Sequence, residues 1–145
     1  MQNEPIAIIG SQYPRVVIPL IDSAIHTLDV IVFDWRQYKN QPANPVSLFN
    51  SSIARASSRG VSVRCLVNND DIIQMLKSIG CKARKVESTK LLHTKLLIID
   101  KKKVVIGSHN FSQNAFSMNE EASIFVNMND ENNEFVKYFN NLFGI

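Results

Sequence analysis

The sequence predicts an α/β fold in a single domain, residues 1–145, built on a mixed β-sheet with helices on both faces. Short apolar runs typical of buried strands alternate with segments of helical periodicity. A hairpin pattern follows late in the chain, and its antiparallel pairing makes the sheet mixed. No linker, repeat or low-complexity tract divides the 145 residues, which suffice for one independent core.

The first predicted elements are a strand, a helix and a second strand. Residues 5–9 are short and apolar, as in a strand. Apolar side chains recur at helical spacing over about 15–27, and Pro19 interrupts that pattern. Because proline is tolerated in the first turn of a helix, this helix is expected to begin near Pro19. Residues 29–35 then predict a strand buried on both faces.

A polar loop over 36–44 leads into a second helix. Asn44 is its predicted cap, Pro45 occupies its first turn, and Gly60 ends it. Another buried strand covers 61–67. The remaining predicted elements are a helix over 70–79 ended by Gly80, strands over 81–86, 91–99, 103–106 and 122–126, a helical turn over 112–117, and an amphipathic helix over 130–143.

Composition sets loose bounds on function. The net charge of +3 and pI near 9.0 favour polyanionic partners only mildly. Cys65 and Cys81 lack metal-binding spacing and predict reduced, buried thiols. We expect no metal and no cofactor. The chain shows no secretory signal and no apolar stretch long enough to span a bilayer. We therefore expect a cytoplasmic protein that does not act in a membrane.

The polar chemistry of the chain is concentrated around the predicted hairpin. His93 and Lys95 lie two apart on a strand and should share a face, as should Ser108 and Asn110 if the chain stays extended past Gly107. If the hairpin ends meet, these four groups converge. Lys95, Ser108 and Asn110 would donate hydrogen bonds to phosphate oxygens, leaving His93 free to attack phosphorus. Gly107 would let an anion approach the backbone.

A nucleophilic histidine needs its second ring nitrogen held, so that the attacking nitrogen carries the lone pair. Glu120 and Glu121 are the nearest candidates for that role, and Asp100 is the alternative. Each of these residues taken singly has an ordinary explanation as a surface or turn residue. Their joint appearance at fixed spacing makes independent ordinary explanations much less adequate.

The spacing H-x-K-(x)4-D-(x)6-G-S-x-N resembles the HKD signature of the phospholipase D superfamily. It is matched without a gap by residues 93 to 110 of this chain, with Asp100 at the aspartate position. The segments Asn110-Phe111-Ser112 and Asn119-Glu120-Glu121 further resemble the small, single-motif bacterial endonucleases of that superfamily.

The resemblance implies a two-step reaction without metal. One histidine attacks phosphorus to form a phosphohistidine, a second histidine protonates the leaving oxygen, and water resolves the intermediate. It implies that His93 is the nucleophile or acid, that Lys95 and Asn110 bind phosphate oxygens, and that Ser108 assists. By its offset Glu121, rather than Glu120, would orient His93. Asp100 would act structurally or electrostatically.

The chain carries one such motif, since neither His26 nor His109 begins a second H-x-K. If two histidines are needed, the second must come from another copy of the chain. We therefore expect a homodimer in which two hairpins face each other across a twofold axis and form one composite site.

Nucleic acid, DNA and/or RNA, is the expected substrate. Arg84 and Lys90 precede His93 within a basic stretch and are candidate phosphate contacts, whereas the lysines at 101–103 are better explained as a solvated turn. Arg36 and Trp35 are further candidates at the mouth of the site. Trp35 or Tyr38 would either stack a base or pack under the loop.

Two other functions remain open at this point. A phospholipase or phosphatidyl transferase would need an apolar surface for acyl chains. The candidate surface is the loop over 41–49, although helical packing explains its apolar residues better. A non-catalytic nucleic-acid-binding module is the other alternative, and the intact His93 and Lys95 argue against it.

Overall fold

The computed structural model describes residues 4–144. Their central layer is a seven-stranded sheet. The strands are β1 Ile6–Ile9, β2 Thr27–Ile31, β3 Ser62–Leu66, β4 Lys82–Arg84, β5 Leu96–Ile99, β6 Lys103–Gly107 and β7 Ala122–Asn127. The helices are α1 Gln12–Asp22, α2 Pro45–Ser58, α3 Asp70–Ser78 and α4 Glu134–Phe143, with one π-helical turn over Asn114–Met118.

The strand order is β1-β7-β6-β5-β2-β3-β4. Strands β2, β3 and β4 are parallel to one another, and every other neighbouring pair is antiparallel. The predicted mixed sheet is therefore confirmed. Its late antiparallel part comes from the β5–β6 hairpin and from β7, which pairs with both β6 and β1.

Helices cover both faces of the sheet, as predicted. The larger core packs α1, α2 and α3 against one face, through side chains such as Val17, Phe49 and Leu76. On the other face α4 packs Val136, Phe139 and Phe143 against a smaller apolar cluster. Successive residues of a strand point to opposite faces, so the buried central strands contribute to both cores.

The prediction for the first helix was wrong at both ends. The helix begins at Gln12 and ends at Asp22, so the proline in its first turn is Pro14 and Pro19 lies inside. Pro19 is exposed, so the carbonyl that it leaves without a donor lies on the hydrated side of the helix. The apolar residue Leu28, which seemed to extend the helix, belongs to β2.

The second helix follows its predicted signals. Asn44 caps α2 by accepting a hydrogen bond from the backbone N–H of Val46, and Pro45 is its first residue. Gly60 follows the helix with a φ of 100°, a left-handed conformation that glycine adopts without strain.

The strand predicted over 91–99 is shorter in the structure. Strand β5 begins at Leu96, opposite Ile31, where β2 ends. Residues 91–95 lie beyond the end of β2 and form an irregular segment, although the carbonyl of Lys95 still accepts a hydrogen bond from the N–H of Gly107 at the end of β6. The closing helix is also shorter than predicted, because Asn133 caps it by accepting from the N–H groups of Phe135 and Val136.

The helices of residues 4–144 are all too short or too polar to cross a membrane.

Candidate active site

The candidate active site lies at the edge of the sheet where β2 and β6 end and β5 and β7 begin. Because β5 runs antiparallel to both β2 and β6, the residues before β5 lie beside those that follow the other two strands. The sheet thus brings the segment containing His93 next to Phe33 and Ser108. It also places Glu121, just before β7, at the same edge.

His93 and Lys95 lie on the same side of the chain although they precede the strand. The ammonium Nζ of Lys95 is 3.1 Å from Nδ1 and 3.4 Å from Nε2 of His93. The imidazole also contacts the ring of Phe33, with the centroids 4.9 Å apart. A single phosphate group can therefore meet both the imidazole and the ammonium.

Two opposing effects act on the charge of Lys95. Partial burial lowers the pKa of its ammonium below the ordinary value, and the negative charge of Glu121 opposes that shift. The second effect shows that the Glu121 carboxylate lies within electrostatic reach of Lys95. This attraction links the pair His93 and Lys95 to the group formed by Ser108 and Glu121.

Ser108 and Glu121 form the other half. The Ser108 hydroxyl donates to the Glu121 carboxylate at 2.5 Å, and the Asn119 amide donates to its second oxygen at 3.1 Å. The Ser108 hydroxyl also accepts from the N–H of Ala122. These bonds fix the carboxylate, and none of its recorded hydrogen bonds reaches His93. The implied orientation of His93 by Glu121 therefore stays a prediction.

Asn110 is oriented by the backbone that follows β2. Its amide oxygen accepts a hydrogen bond from the N–H of Asp34 at 3.0 Å. The carboxamide then directs its NH₂ group away from that backbone, where it is available as a donor to an anion. Since Asp34 follows Phe33, the same short segment contacts His93 with one residue and Asn110 with the next.

Asp100 lies outside this site. Its carboxylate accepts hydrogen bonds from the N–H groups of Ile25, His26 and Thr27 at the opposite end of β5. Strand β5 and the irregular residues before it separate His93 from Asp100, which places them at least about 13 Å apart. The alternative in which Asp100 holds His93 is wrong, and Asp100 does not belong with the catalytic candidates around His93. Its contacts give it a structural role.

The candidate substrate contacts divide into two groups. Trp35 is fully buried, donates to the side chain of Asn50 and packs edge-on against Phe111, so its expected role at the mouth of the site is wrong. Arg84 donates from Nη1 to the carbonyl of Phe143 and stacks on the Phe143 ring, so its guanidinium lies against the end of α4.

Arg36 and Lys90 remain available for substrate. Arg36 is exposed, pairs with Asp34 and therefore lies beside Asn110. Lys90 is exposed three residues before His93. Their contact with substrate stays a prediction.

Sequence analysis missed Phe33 and Asn68. The Asn68 amide donates to the carbonyls of Phe33 and Leu92 and so ties together the two segments on which the site depends. A signal for Asn68 was present, because polar residues directly after a buried parallel strand often line the ligand edge of an α/β sheet.

Gly107 is needed for a different reason than expected. A Cβ atom there would lie 2.3 Å from the Cα of Ser123 on the neighbouring strand. The missing side chain thus permits close approach of β7 rather than of an anion. His109 is buried beside it, with Nδ1 2.7 Å from the Ser123 hydroxyl and Nε2 2.8 Å from the carbonyl of Gly10. Burial lowers the pKa of His109, which favours its neutral form.

No group of three or more His, Cys, Asp or Glu side chains within residues 4–144 is arranged to hold a metal ion.

Comparison with curated proteins gives relatives with two kinds of names. A phospholipase D from Rickettsia prowazekii (strain Madrid E) is 33% identical over 86 residues, which cover 55% of this chain and 42% of the relative. A virion nicking-joining enzyme from Monkeypox virus is 26% identical over 133 residues, which cover 81% of this chain and 31% of the relative. The chain spans less than half the length of these curated relatives.

Comparison with solved structures supports the fold over almost the whole chain. Nuc from Salmonella typhimurium, described as a phospholipase D family member, superposes with a TM-score of 0.78 at 21% identity. NucT from Helicobacter pylori gives a TM-score of 0.75 at 20% identity. Each match covers 97% of this chain and 95% of the other.

A family model settles the relationship, because it matches far more than half of the sequence. It describes the PLD-like domain of cardiolipin synthase and covers residues 17–143. Its range includes the whole His93–Asn110 motif and the strands that position it. The chain therefore belongs to the PLD-like domain family of the phospholipase D superfamily.

Proposed function

We propose that this protein is a metal-independent phosphodiesterase, a non-specific endonuclease that cleaves DNA and/or RNA at a site composed across a homodimer. The observation that carries the proposal is the convergence of an imidazole, an ammonium and a carboxamide NH₂ on one sheet edge. Substrates of this kind have anionic, tetrahedral phosphorus, which these donors match.

The reaction would proceed in two balanced steps. A ring nitrogen of His93 forms a bond to phosphorus, the bond from phosphorus to the leaving oxygen breaks, and a second imidazolium gives that oxygen its proton. Water then attacks phosphorus, its proton passes to the second imidazole, and the N–P bond breaks. Lys95 and Asn110 would hold the non-bridging oxygens in both steps, with Ser108 assisting.

The positions of the other two histidines support the dimer. His109 is buried, and both of its ring nitrogens lie within hydrogen-bonding distance of protein oxygens. His26 lies at the far end of the sheet, where its backbone N–H donates a hydrogen bond to the Asp100 carboxylate. Neither imidazole is placed to protonate a leaving group at His93. The second imidazole would therefore be His93 of another copy.

Phospholipid cleavage is a second candidate, favoured by relatives that are named phospholipase D. The apolar surface expected over 41–49 counts against it, because Val46 and Phe49 are fully buried on the inner face of α2, and of the large apolar side chains there only Leu48 is substantially exposed. That part of the chain offers little surface to an acyl chain.

A substrate panel tests the proposal. Single- and double-stranded DNA, RNA and phosphatidylcholine are each incubated with the protein in the presence of a chelator. We expect cleavage of nucleic acid that EDTA does not abolish. Replacing His93→Asn should reduce the rate by at least about a thousandfold, because the nucleophile is lost. An N–P linked intermediate on His93 should be trapped by rapid acid-free quenching.

The matched control is His26→Asn, which removes an exposed imidazole at the opposite end of the sheet and should leave the rate unchanged. Circular dichroism and thermal unfolding would confirm that both variants fold. An unchanged rate in folded His93→Asn would refute catalysis by this residue. Lipid cleavage without nucleic-acid cleavage would favour the second candidate.

A further inference from the structure

A hollow of about 460 Å³ lies beside α4 and extends along the sheet from Thr27, at the far end of the strands from His93, to Arg84. Among the residues that the structure describes, its lining contains four cationic side chains and no carboxylate, together with two hydroxyl residues, one amide and one aromatic ring. The lining residues are Thr27, Ser62, Arg64, Lys82, Arg84, Lys101, Asn140 and Phe143.

The strand register explains why so many polar groups meet there. Thr27 pairs with Ser62, and Arg64 pairs with Lys82 across the parallel strands. Alternate residues of a strand point to one face, so these side chains project together toward α4. Farther along the same face, Ile31 belongs to the apolar cluster under α4. The sheet face under α4 is therefore polar around Thr27 and Arg64 and apolar around Ile31.

Two of the cations are held in fixed positions. Arg64 donates from Nε and Nη2 to the two carboxylate oxygens of buried Asp29, at 2.8 and 2.9 Å, and from Nη2 to Asn140. Arg84 donates from Nη1 to the carbonyl of Phe143 and stacks 4.0 Å from the centre of that ring.

These bonds leave several donors of the two guanidinium groups unused. A guanidinium has five N–H donors, and no bond within residues 4–144 is recorded for Nη1 of Arg64 or for Nε and Nη2 of Arg84. Arginine donors that are already ordered lose little entropy on binding an anion.

The charges at the hollow do not balance. Asp29 beneath it neutralises one cation, and the neighbouring carboxylates are Asp100, bound to backbone N–H groups, and Glu131, which lines an adjacent hollow with Lys101. Within residues 4–144, neither Lys82 nor Arg84 forms an ion pair. The hydroxyl oxygen of Thr27 is buried without a hydrogen-bond partner, and Thr27 lines this hollow.

We propose that this hollow is a second anion site, which binds a phosphate group of a nucleotide or of a polynucleotide backbone and takes no part in the chemistry at His93. The excess of positive charge selects an anion. Ordered guanidinium donors and nearby hydroxyl groups match the several oxygens of a phosphate. The end of the hollow formed by Thr27 and Lys101 lies beyond the whole length of β5 from His93, at least about 13 Å along the strands, so one phosphate cannot occupy both sites.

The proposal is tested by titrating the isotopically labelled protein with inorganic phosphate, a nucleoside 5′-monophosphate and a short single-stranded oligonucleotide. Amide signals and arginine Nε–H signals are followed by NMR at constant ionic strength. We expect saturable shifts at Arg64, Arg84 and residues 82–83 that are separate from those around His93.

The double variant Lys82→Ala/Lys101→Ala should weaken binding at these signals by about tenfold, which corresponds to about 1.4 kcal/mol. The matched control is Lys39→Ala/Lys77→Ala, which removes two exposed lysines elsewhere and should bind like the wild type. Thermal unfolding would show that both double variants fold.

The three ligands distinguish the source of the phosphate. Binding of the monophosphate assigns the site to free nucleotides, whereas shifts with the oligonucleotide alone assign it to the backbone. Equal shifts with chloride at the same ionic strength would show an adventitious ion only and overturn the proposal. Shifts confined to the His93 edge, or unchanged binding in the Lys82/Lys101 variant, would also overturn it. The titration does not measure cleavage. A failure of this proposal can therefore be told apart from a failure of the proposed nuclease activity.

Discussion

At the scale of single residues, the protonation of Lys95 links the two halves of the candidate site. Burial lowers the pKa of the Lys95 ammonium from its ordinary value of 10.5, and the charge of Glu121 partly offsets this. Only the protonated form carries the charge that attracts phosphate oxygens. Activity should therefore fall as pH rises through a value below that of a free lysine.

The first prediction concerns Glu121→Gln. Removing the negative charge takes away the contribution that raises the Lys95 pKa, so that pKa should fall further. The pKa is measured directly by NMR titration of the lysine Nζ, and the alkaline limb of kcat/KM should shift to lower pH with it. Glu120→Gln, an exposed neighbour, is the control and should leave both unchanged. A Lys95 pKa that rises in Glu121→Gln would contradict this coupling.

Individual residues also mark where sequence analysis reached its limit. The spacing of His93, Lys95 and Asn110 predicted that they would meet, and the structure brings them to one end of the sheet, while their catalytic roles stay a prediction. Trp35 was not, because its burial depends on Asn50 and Phe111, which come from distant segments. An aromatic residue after a strand has the same local pattern whether it packs inward or outward.

At the scale of elements, Asp100 joins the β5–β6 turn to the start of β2. Asp100 and Lys101 both have positive φ, 52° and 65°, so the turn is tight and left-handed. The Asp100 carboxylate accepts N–H groups from Ile25, His26 and Thr27. Burial raises its pKa, but these backbone bonds outweigh that effect and lower the pKa below 3.8.

The second prediction is that Asp100→Asn lowers the free energy of unfolding by about 1 to 2 kcal/mol at neutral pH, because one charged acceptor is lost. A depressed folded-state pKa gives stability that is present above 3.8, the unfolded value, and is lost as pH falls through the folded-state pKa. The difference from wild type should therefore shrink in acid, as measured by urea unfolding across pH.

Asp130→Asn is the control for this prediction. The Asp130 carboxylate accepts one N–H from its own loop, that of Asn132, and its replacement should cost less. If the Asp100→Asn difference persisted undiminished at the lowest pH, the charge of Asp100 would not be its source.

Elements were predictable where their signals are local. Asn44 and Pro45 fix the start of α2 through contacts within one turn, and the prediction was confirmed there. The start of β5 was missed because it is set by where its partner β2 ends, at Ile31. The start of α1 was missed because Pro14 and Pro19 carry the same local signal, and only burial on the sheet distinguishes them.

At the scale of the whole molecule, the strand order decides where the chemistry lies. The sequence predicted a mixed sheet, and convergence of the motif was conditional on the two hairpin ends meeting. The placement of β2 beside β5 brings in Phe33 and Asp34, which no local pattern specified. That order depends on the combined packing of seven strands, and spacing within a motif does not specify it.

The same edge exposes apolar side chains that a partner copy would cover. Leu91 is 71% exposed and Met118 is 74% exposed, and they flank the segments that contain His93 and Glu121. Ile9, at the end of β1, is 54% exposed beside Gly10, whose N–H binds the carbonyl of Glu121. Large exposed apolar side chains grouped around polar residues are typical of interfaces. The proposed twofold axis is therefore expected to pass near them.

The third prediction is that Met118→Asp and Leu91→Asp dissociate the dimer and lower activity in parallel, because each buries a charge at the interface. Sedimentation measures the mass, and Ile25→Asp is the control because Ile25 is 71% exposed at the Asp100 end.

Mixing equal amounts of wild-type and His93→Ala chains after refolding tests the composite site directly. Random pairing leaves about one quarter of the dimers with two intact His93 residues, so a shared site should retain about one quarter of the activity. Independent sites would retain about one half. Half activity, or full activity in a strictly monomeric variant, would contradict a shared site.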